Sequence, residues 1–473
     1  MAFETSSLKS RWRLRSGERK RILLFGDALA AVLGLFVSLY FWGQADWLNF
    51  SWDFLSQRIP LWYYLLPLLW VVFLVDMYDL HRATHIKETF RGVATAAGLA
   101  LILYLIIFFI SDTNSLPRKG IAVFILAVTL LTFLWRFFYI RVFTAPAFMH
   151  RALVVGAGNA GTSFCRAYKT MQSPSLHISG YIDDDPKKYH KTVEDLPVLG
   201  KGDELLAVID KHQITDVIFA ISGELNPELF RSLLLAAEMG VEITSVPALY
   251  EELFGRVPIF LLQSDWVLRS FIDQTHTTGF YESMKRLIDI FVSLIGVAAF
   301  LITFPLLALL TLIDTGAPIF FTQNRVGMNG TTFKILKYRT MVQDAEKNGI
   351  ARATERHDER ITRVGSLMRK SHIDELPQVF NILKGDMSIV GPRSEQIELV
   401  SDYQDHIPFY RARLFVRPGL TGWAQINQRY ASNVDENAVK LEYDLYYIKH
   451  RSLTLDFMII FRTVGAVAGF RGL

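Results

Sequence analysis

The chain has 473 residues, 51% of them hydrophobic and 20% charged, with a mean hydropathy of +0.25 and a formal net charge of +4. So apolar a composition excludes a disordered chain, and so small a charge speaks against nucleic acid as a partner. The single cysteine, Cys165, excludes an internal disulfide framework and a cysteine-built zinc site.

The tail 1–21 carries Lys9, Arg11, Arg13, Arg15, Arg19, Lys20 and Arg21 against only Glu4 and Glu18. Four apolar stretches follow, at 22–42, 59–75, 92–110 and 121–142. Each approaches the roughly 20 residues that cross a hydrocarbon core, so 22–145 reads as a four-helix transmembrane bundle. Arg82, Lys87 and Arg91 in the second loop, with Arg141 and Arg151 after the fourth run, outnumber the cations of the opposite loops, Arg58, Arg118 and Lys119. Both ends of the bundle are therefore expected on the cytoplasmic side. Asp27 and Arg136 fall at membrane depth, and a structural pair is expected of them rather than an ion pathway.

Residues 150–252 change character. Arg151–Val155 reads as a buried strand, followed by Gly156, Gly158 and Gly161 in a G-x-G-x-x-G pattern, a helical segment, and a second strand near His177–Ile182 that runs into Asp183, Asp184 and Asp185. This is the order of a dinucleotide fingerprint, in which glycines let backbone amides approach a phosphate at a helix N-terminus. The domain spans only about one mononucleotide half and brings no Tyr-x-x-x-Lys pair, so a ligand loop at Gly156, Gly158, Gly161 and Asp183 competes with a purely structural turn into Pro186.

A linker over 253–284 leads to Lys285-Arg286-Leu287-Ile288-Asp289 and an uncharged run, 290–313, interrupted by Pro305. Proline removes an intrahelical hydrogen bond, so a bend is expected there. A fifth full span competes with a broken helix that enters and leaves on one face. Basic residues on both flanks (Lys285 and Arg286 before; Arg325, Lys334, Lys337 and Arg339 after) favour re-entry.

Downstream, arginines are spaced among acids as phosphate-binding forks would be. Leu376, Val379, Phe380 and Leu383 mark one face of a helix. Pro377 is tolerated only in a first turn, so that helix should start near Ile373, with Asp374 and Glu375 at its positive end. Beside Arg369 and Lys370 a carboxylate there should stay ionised at neutral pH. One such group can attack phosphorus while its neighbour holds a divalent metal, for which magnesium fits best.

Six blocks then carry a resemblance: Lys285–Asp289; Phe320-Phe321-x-Gln323-x-Arg325-Val326-Gly327 with Phe333-Lys334-Ile-Leu-Lys337-Tyr-Arg339-Thr-Met341; Asp374-Glu375-Leu-Pro-Gln378; Gly385-Asp386-Met-Ser388-Ile-Val-Gly391-Pro392-Arg393; Arg417-Pro418-Gly419-Leu-Thr421-Gly422-Trp423-Ala-Gln425; and Tyr443-Asp444-Leu-Tyr446-Tyr447. Residues 285–473 resemble the catalytic domain of the monotopic phosphoglycosyl transferases, the bacterial polyprenyl-phosphate sugar-1-phosphate transferases. A bundle and a Rossmann-like domain ahead of it resemble the family's large members.

The resemblance implies an α/β catalytic domain whose membrane helix, 286–313, is re-entrant at Pro305. It implies Asp374 as nucleophile toward a UDP-sugar, Glu375 as ligand of Mg2+, and undecaprenyl phosphate as acceptor. Arg369, Arg393, Lys337, Arg339, Arg325 and Gln378 would line the substrate phosphates. A homodimer in the bilayer, and hand-over to downstream glycosyltransferases of exopolysaccharide, capsule or O-antigen synthesis, are further expectations. Two departures stand out: Phe304 precedes Pro305 where the family often has serine, and Ser394 replaces the proline that usually ends the Gly-Pro-Arg block. The rival readings are a membrane-bound nucleotide-sugar dehydratase or epimerase using NAD and a non-enzymatic assembly scaffold.

Overall fold

The computed structural model describes residues 16–78, 83, 85–110, 117–143, 150–171, 176–221, 226–261, 279–342, 360–428 and 433–468. The basic residues Lys9 to Arg15, Arg82 and most of the 253–284 linker lie outside the described residues. The chain divides into two compact units, Met1–Val246 and Pro247–Leu473.

In the first unit, helices α1 (Ser16–Gln44), α2 (Leu66–Phe73), α3 (Ile86–Ile110) and α4 (Arg118–Phe143) form the apolar bundle. Three of them are long and apolar enough to cross a membrane. The second run differs from its expectation: it folds as a 3-10 turn, Leu61–Leu65, joined to the eight-residue α2. At 1.5 Å per residue the helical stretch Leu61–Phe73 reaches about 20 Å, short of a hydrocarbon core.

Leu23, Ala31, Trp70, Val128 and Tyr139 pack the bundle's interior, while Phe25, Leu29, Phe36, Phe41 and Leu126 face outward. An apolar exterior around an apolar interior is what a lipid solvent selects. The two charges at depth find each other: Arg136 Nε and Nη2 donate to the two Asp27 oxygens at 3.2 and 2.7 Å, and Nη1 donates to the Met77 carbonyl at 3.2 Å. Both side chains are fully buried, so α1 and α4 are pinned by a bidentate pair whose polar atoms have partners, as a structural role requires.

The rest of this unit is a six-stranded sheet, β1 (His150–Val155), β2 (Leu176–Ile182), β3 (Thr192–Val193), β4 (Leu196–Gly200), β5 (Asp216–Phe219) and β6 (Glu242–Ser245), in the order β3-β4-β2-β1-β5-β6. Every pairing is parallel except β3 with β4. Leu153, Val155, Ile182, Ile209, Val217 and Leu233 fill a core between the sheet and helices α6 (Leu205–His212) and α7 (Pro227–Glu238), and α5 (Asn159–Lys169) follows the glycine turn. The two strands expected from sequence are β1 and β2.

The second unit opens with α8 (Val246–Phe254) and the 37-residue α9 (Gly279–Thr315), which runs through Pro305 as one helix. The expected break is thus not a gap in the helix. Thr303 Oγ1 donates to the Ala299 and Phe300 carbonyls one turn earlier. A hairpin follows, β7 (Phe320–Val326) against β8 (Thr332–Tyr338), and a parallel pair, β9 (Ser388–Val390) with β10 (Gly419–Thr421).

Helices α10 (Arg363–Lys370), α11 (Val379–Lys384), α12 (Ile397–His406), α13 (Trp423–Asn427), α14 (Val434–Lys449) and α15 (Leu453–Ala468) complete this unit. Its core gathers Ile382, Met387, Ile389, Leu441, Leu445, Tyr447 and Ile459.

The Lys285–Asp289 block turns out to be a fastening. Asp289 Oδ1 accepts from the Ser388 hydroxyl at 3.0 Å and the Ile389 amide at 2.9 Å. Arg286 donates to the Ile382 and Leu383 carbonyls at 2.7 Å each, where α11 ends in a left-handed Gly385. Lys285 and Tyr281 both reach Asp456 on α15, at 3.1 and 2.9 Å. The backbone of β9 and β10 approaches so closely that a Cβ on Gly419 would lie 2.1 Å from the Gly391 nitrogen.

Candidate active site

Asp374 and Glu375 lie in a 3-10 turn, Ile373–Gln378, that leads directly into α11. The chain does turn helical at Ile373 as expected, but its first stretch is 3-10, and the α-helix begins only after Pro377, which has no amide to donate. His372 enters this turn in a left-handed conformation, φ 56°.

Two elements supply the cations. Lys337, on β8, brings Nζ to 2.6 Å from Glu375 Oε1. Arg393, in the loop after β9, brings Nη2 to 3.0 Å from the same oxygen. The Asn381 side chain holds the first of these strands, its Nδ2 donating to the Lys334 carbonyl and its Oδ1 accepting from the Leu336 amide. Arg369, at the end of α10, directs Nε to the Thr340 hydroxyl at 2.9 Å.

The two neighbouring carboxylates are driven apart electrostatically. Burial raises the Glu375 pKa, yet Arg393 and Lys337 more than offset it and hold the group well below the ordinary carboxylate range. Asp374 is 8% exposed, and among the described residues its carboxylate has no hydrogen-bond partner. Burial and then the Glu375 charge push it up to about 6, against the pull of Lys337, Arg369 and Arg393. The shift runs opposite to what the neighbouring cations alone would give, yet the anion still predominates at pH 7. Burial also lowers Lys337, with Glu375 opposing it.

Of the other residues expected at the site, Arg369 acts on Asp374 by charge. Gln378 is buried at 2% exposure, and its Nε2 has no partner among the described residues. Arg325 sits one layer back, donating to the Ser394 carbonyl. Arg339 points elsewhere, to the Ala317 carbonyl at 3.3 Å, and is not drawn into the Glu375 network. Thr340 and Asn381, which place these groups, were not singled out from sequence, because each acts through a backbone or hydroxyl contact fixed only by the fold; Arg413, one of the spaced arginines, serves the Arg393 carbonyl instead.

Among the described residues no three His, Cys, Asp or Glu side chains gather as a metal cluster. A lone carboxylate pair, one oxygen of which already serves two cations, does not suit zinc, which asks for three or four protein ligands. It suits magnesium, which takes one or two carboxylates and completes its shell with water and substrate phosphates.

The glycine loop of the first unit is built differently. Gly156 adopts φ +107°, and a Cβ on Gly161 would lie 2.1 Å from the Gly156 carbonyl. Yet Asp183, expected as a ligand-facing acid, accepts from the Ala157 amide at 2.7 Å and the Asp185 amide at 2.9 Å, and Lys188 Nζ lies 3.2 Å away. Asp184 accepts from the Gly202 amide at 2.7 Å. The acids after β2 are thus bound to their own backbone.

Residues 280–469 match the family described as bacterial sugar transferase, and residues 73–247 that described as CoA-binding domain. The chain is similar to a UDP-N-acetylgalactosamine-undecaprenyl-phosphate N-acetylgalactosaminephosphotransferase of Aeromonas hydrophila, 36% identical over 64% of this chain and 68% of that one. It is similar to a UDP-glucose:undecaprenyl-phosphate glucose-1-phosphate transferase of Xanthomonas campestris pv. campestris, 32% identical over 63% and 65%. To exopolysaccharide production protein PSS of Rhizobium leguminosarum bv. phaseoli it is 39% identical over 38% and 93%. A solved UDP-D-quinovosamine 4-dehydrogenase from Vibrio fischeri aligns over 23% of this chain and 87% of that one at 25% identity, with a TM-score of 0.19.

Proposed function

The chain belongs to the bacterial sugar transferase family and is a sugar-1-phosphate transferase, and on that premise we propose that its second unit moves a hexose 1-phosphate from a UDP-sugar to undecaprenyl phosphate. UDP-glucose and UDP-galactose are the donors to try first, and the relatives' names, which divide between glucose and N-acetylgalactosamine, add UDP-N-acetylgalactosamine to them. The observation that carries the reading is Asp374: a buried carboxylate with no hydrogen-bond partner among the described residues, set among Lys337, Arg369 and Arg393. A largely buried carboxylate whose lone pairs are not tied up by hydrogen bonds is a better nucleophile, and the surrounding cations compensate the charge of an incoming diphosphate.

In the first step an Asp374 oxygen attacks the sugar-proximal phosphorus. The bond from that phosphorus to the bridging oxygen breaks, and UMP departs with the electron pair. The sugar phosphate remains on Asp374 as a mixed anhydride. In the second step a phosphate oxygen of undecaprenyl phosphate attacks the same phosphorus, freeing Asp374 and giving undecaprenyl-diphosphate sugar. Arg393 and Lys337, held by Glu375, present their remaining donors to phosphate oxygens, and Arg369 supports the nucleophile's charge. Mg2+, held by Glu375 and the substrate phosphates, would neutralise charge building on the departing UMP.

The helix α9 supports a one-sided seat in the membrane. Phe300, some ten residues into the apolar run, stacks on Tyr338 with ring centroids 6.0 Å apart, and Phe304 on Phe320 at 5.9 Å. Tyr338 lies between Lys337 and Arg339, so a helix crossing the bilayer at right angles would carry these cations into hydrocarbon, which is expensive. Phe291, Leu294, Ile295, Leu301, Ile302, Leu306 and Ile313 form the opposite, exposed face. Such a helix re-enters the cytoplasmic leaflet, where a lipid phosphate and a water-borne nucleotide can meet. A homodimer in that membrane, delivering product to downstream glycosyltransferases, completes the proposal.

The dehydratase alternative asks for a second complete NAD fold, whereas the described strands of the second unit form only two two-stranded pairs. The test is a UMP-release screen across UDP-sugars with undecaprenyl phosphate and magnesium, followed by mass spectrometry of protein quenched after donor alone. The adduct is expected on Asp374, and an adduct on any other residue would overturn the assignment. Separately, a cysteine placed at Thr315 should react with a membrane-impermeant thiol reagent from the cytoplasmic side only.

A further inference from the structure

Arg393 touches Glu375 from a loop, and loops are ordinarily the least fixed part of a fold. This loop is an exception. The Pro392 carbonyl accepts from the Gly419 amide at 2.8 Å, the Arg393 carbonyl from Arg413 Nη2 at 2.9 Å, the Ser394 carbonyl from Arg325 Nη1 at 3.1 Å, and the Glu395 carbonyl from the Val326 amide at 3.0 Å. Four consecutive carbonyls are held by three segments, β10, the turn that carries Arg413, and β7, which holds two of them. The Arg393 side chain stays 41% exposed, free to meet a ligand, while its backbone is locked.

Two of the four clamps are guanidiniums, and something must bring them there. Arg413 is 3% exposed and Arg325 17%, and both lean on the Glu395 carboxylate, at 3.8 and 3.9 Å. Lys440 of α14 reaches the same carboxylate at 2.5 Å, and Arg413 also pairs with Asp444 at 2.8 Å. Three cations thus share two carboxylates in a buried cluster. Glu395 alone contacts all three. Burial raises its pKa, but Lys440, Arg413 and Arg325 offset that and hold the group down at about 2, so it remains an anion throughout the working range.

We propose that Glu395 is a positioning residue for the transfer site: it gathers the arginines that clamp the Arg393 and Ser394 carbonyls, and so sets where the Arg393 guanidinium meets Glu375. The sequence departure at Ser394 is neutral on this account, because serine and proline offer Arg325 the same carbonyl. For its catalytic consequence the inference rests on the transfer reaction proposed above.

The experiment uses the full chain in lipid nanodiscs. Hydrogen exchange comes first, because it needs no activity. Glu395→Gln should speed exchange at the Val326 and Gly419 amides, which donate to the loop's Glu395 and Pro392 carbonyls, at least tenfold, leaving the Thr332–Tyr338 strand unchanged. Uniform acceleration of both segments, or none, overturns the proposal. UMP release then reads the consequence. Glu395→Gln should lower kcat about 100-fold, as a misplaced catalytic group does, with donor KM within about threefold. In an Arg393→Lys background the same change should cost less than threefold.

Equal losses in both backgrounds would mean that Glu395 acts on stability alone. If Glu395→Gln does not fold, Lys440→Met removes one partner of Glu395 without touching a clamp. It should give a smaller kcat loss, about fivefold, that also vanishes in the Arg393→Lys background, and a loss that persists there overturns the proposal. Wild-type protein that releases no UMP sinks the transferase reading, while the exchange result still decides the positioning one.

Discussion

Two acidic motifs follow strand or helix boundaries in this protein, and they are finished in opposite ways. Asp183 and its neighbours after β2 are consumed by their own backbone: the Ala157, Asp185 and Gly202 amides and the Lys188 ammonium take up their oxygens. Asp374 is left with no hydrogen-bond partner among the described residues, next to Glu375, whose Oε1 takes both Lys337 and Arg393. A carboxylate whose oxygens are all satisfied stabilises the fold. One that is buried and unsatisfied costs stability, and persists where chemistry needs it.

The largest effect that tests this contrast is on turnover. Asp374→Asn should reduce UMP release by about a thousandfold or more, as loss of a nucleophile does, whereas Asp183→Asn should leave turnover per folded molecule within about threefold. Comparable losses from both would erase the distinction. Next, Glu375→Gln should lower activity about 10- to 100-fold and raise the magnesium concentration needed for half-maximal rate, the range found when metal-supporting groups are altered.

The pH dependence follows from the sign of the Asp374 shift. The attacking form is the anion, and its pKa is raised to about 6. Donor kcat/KM should therefore be flat above about pH 7 and fall tenfold per unit well below 6. For stability the sign is reversed. A carboxyl whose folded pKa lies above its unfolded value contributes most below about 3.9, and that contribution is lost as pH rises through 6. Asp374→Asn should accordingly raise the thermal midpoint at pH 8 by about 2–6 °C, an effect that shrinks at pH 5. A midpoint that falls at pH 8 would mean the aspartate is not strained. The smallest catalytic effect is expected at Gly161→Ala. Its Cβ would press on the Gly156 carbonyl and destabilise the sheet domain by about 1–3 kcal/mol, with UMP release per folded molecule unchanged.

Much of this was legible in the sequence where a local rule carried it. Long apolar runs give α1, α3, α4 and α9 directly, because a hydrocarbon solvent demands length and apolarity and little else. Pro377 and the spacing of Leu376, Val379, Phe380 and Leu383 placed the helical start at Ile373, and the acid pair with it. The glycine turn after β1 was visible because only glycine tolerates the backbone of Gly156.

The run at 59–75 misled, since composition cannot register that Leu61–Leu65 winds as a 3-10 turn ahead of the short α2. Arg339 misled as well, because spaced arginines look alike until the fold directs one to the Ala317 carbonyl and another to Glu375.

The amino-acid order by itself determined which segments seek lipid, where helices and the glycine turn begin, and which two carboxylates stand side by side, because each depends on neighbours within a turn or two of chain. Only the tertiary structure decided that Asp183 closes on Ala157 while Asp374 stays unsatisfied, that Glu375 receives Lys337 from 38 residues away, and that Glu395 draws in Arg413 from the turn after α12 and Lys440 from α14. Hydrogen bonds and ion pairs reach only a few ångströms, so which polar groups end up paired is fixed by packing that brings distant segments together, and no spacing along the chain encodes it.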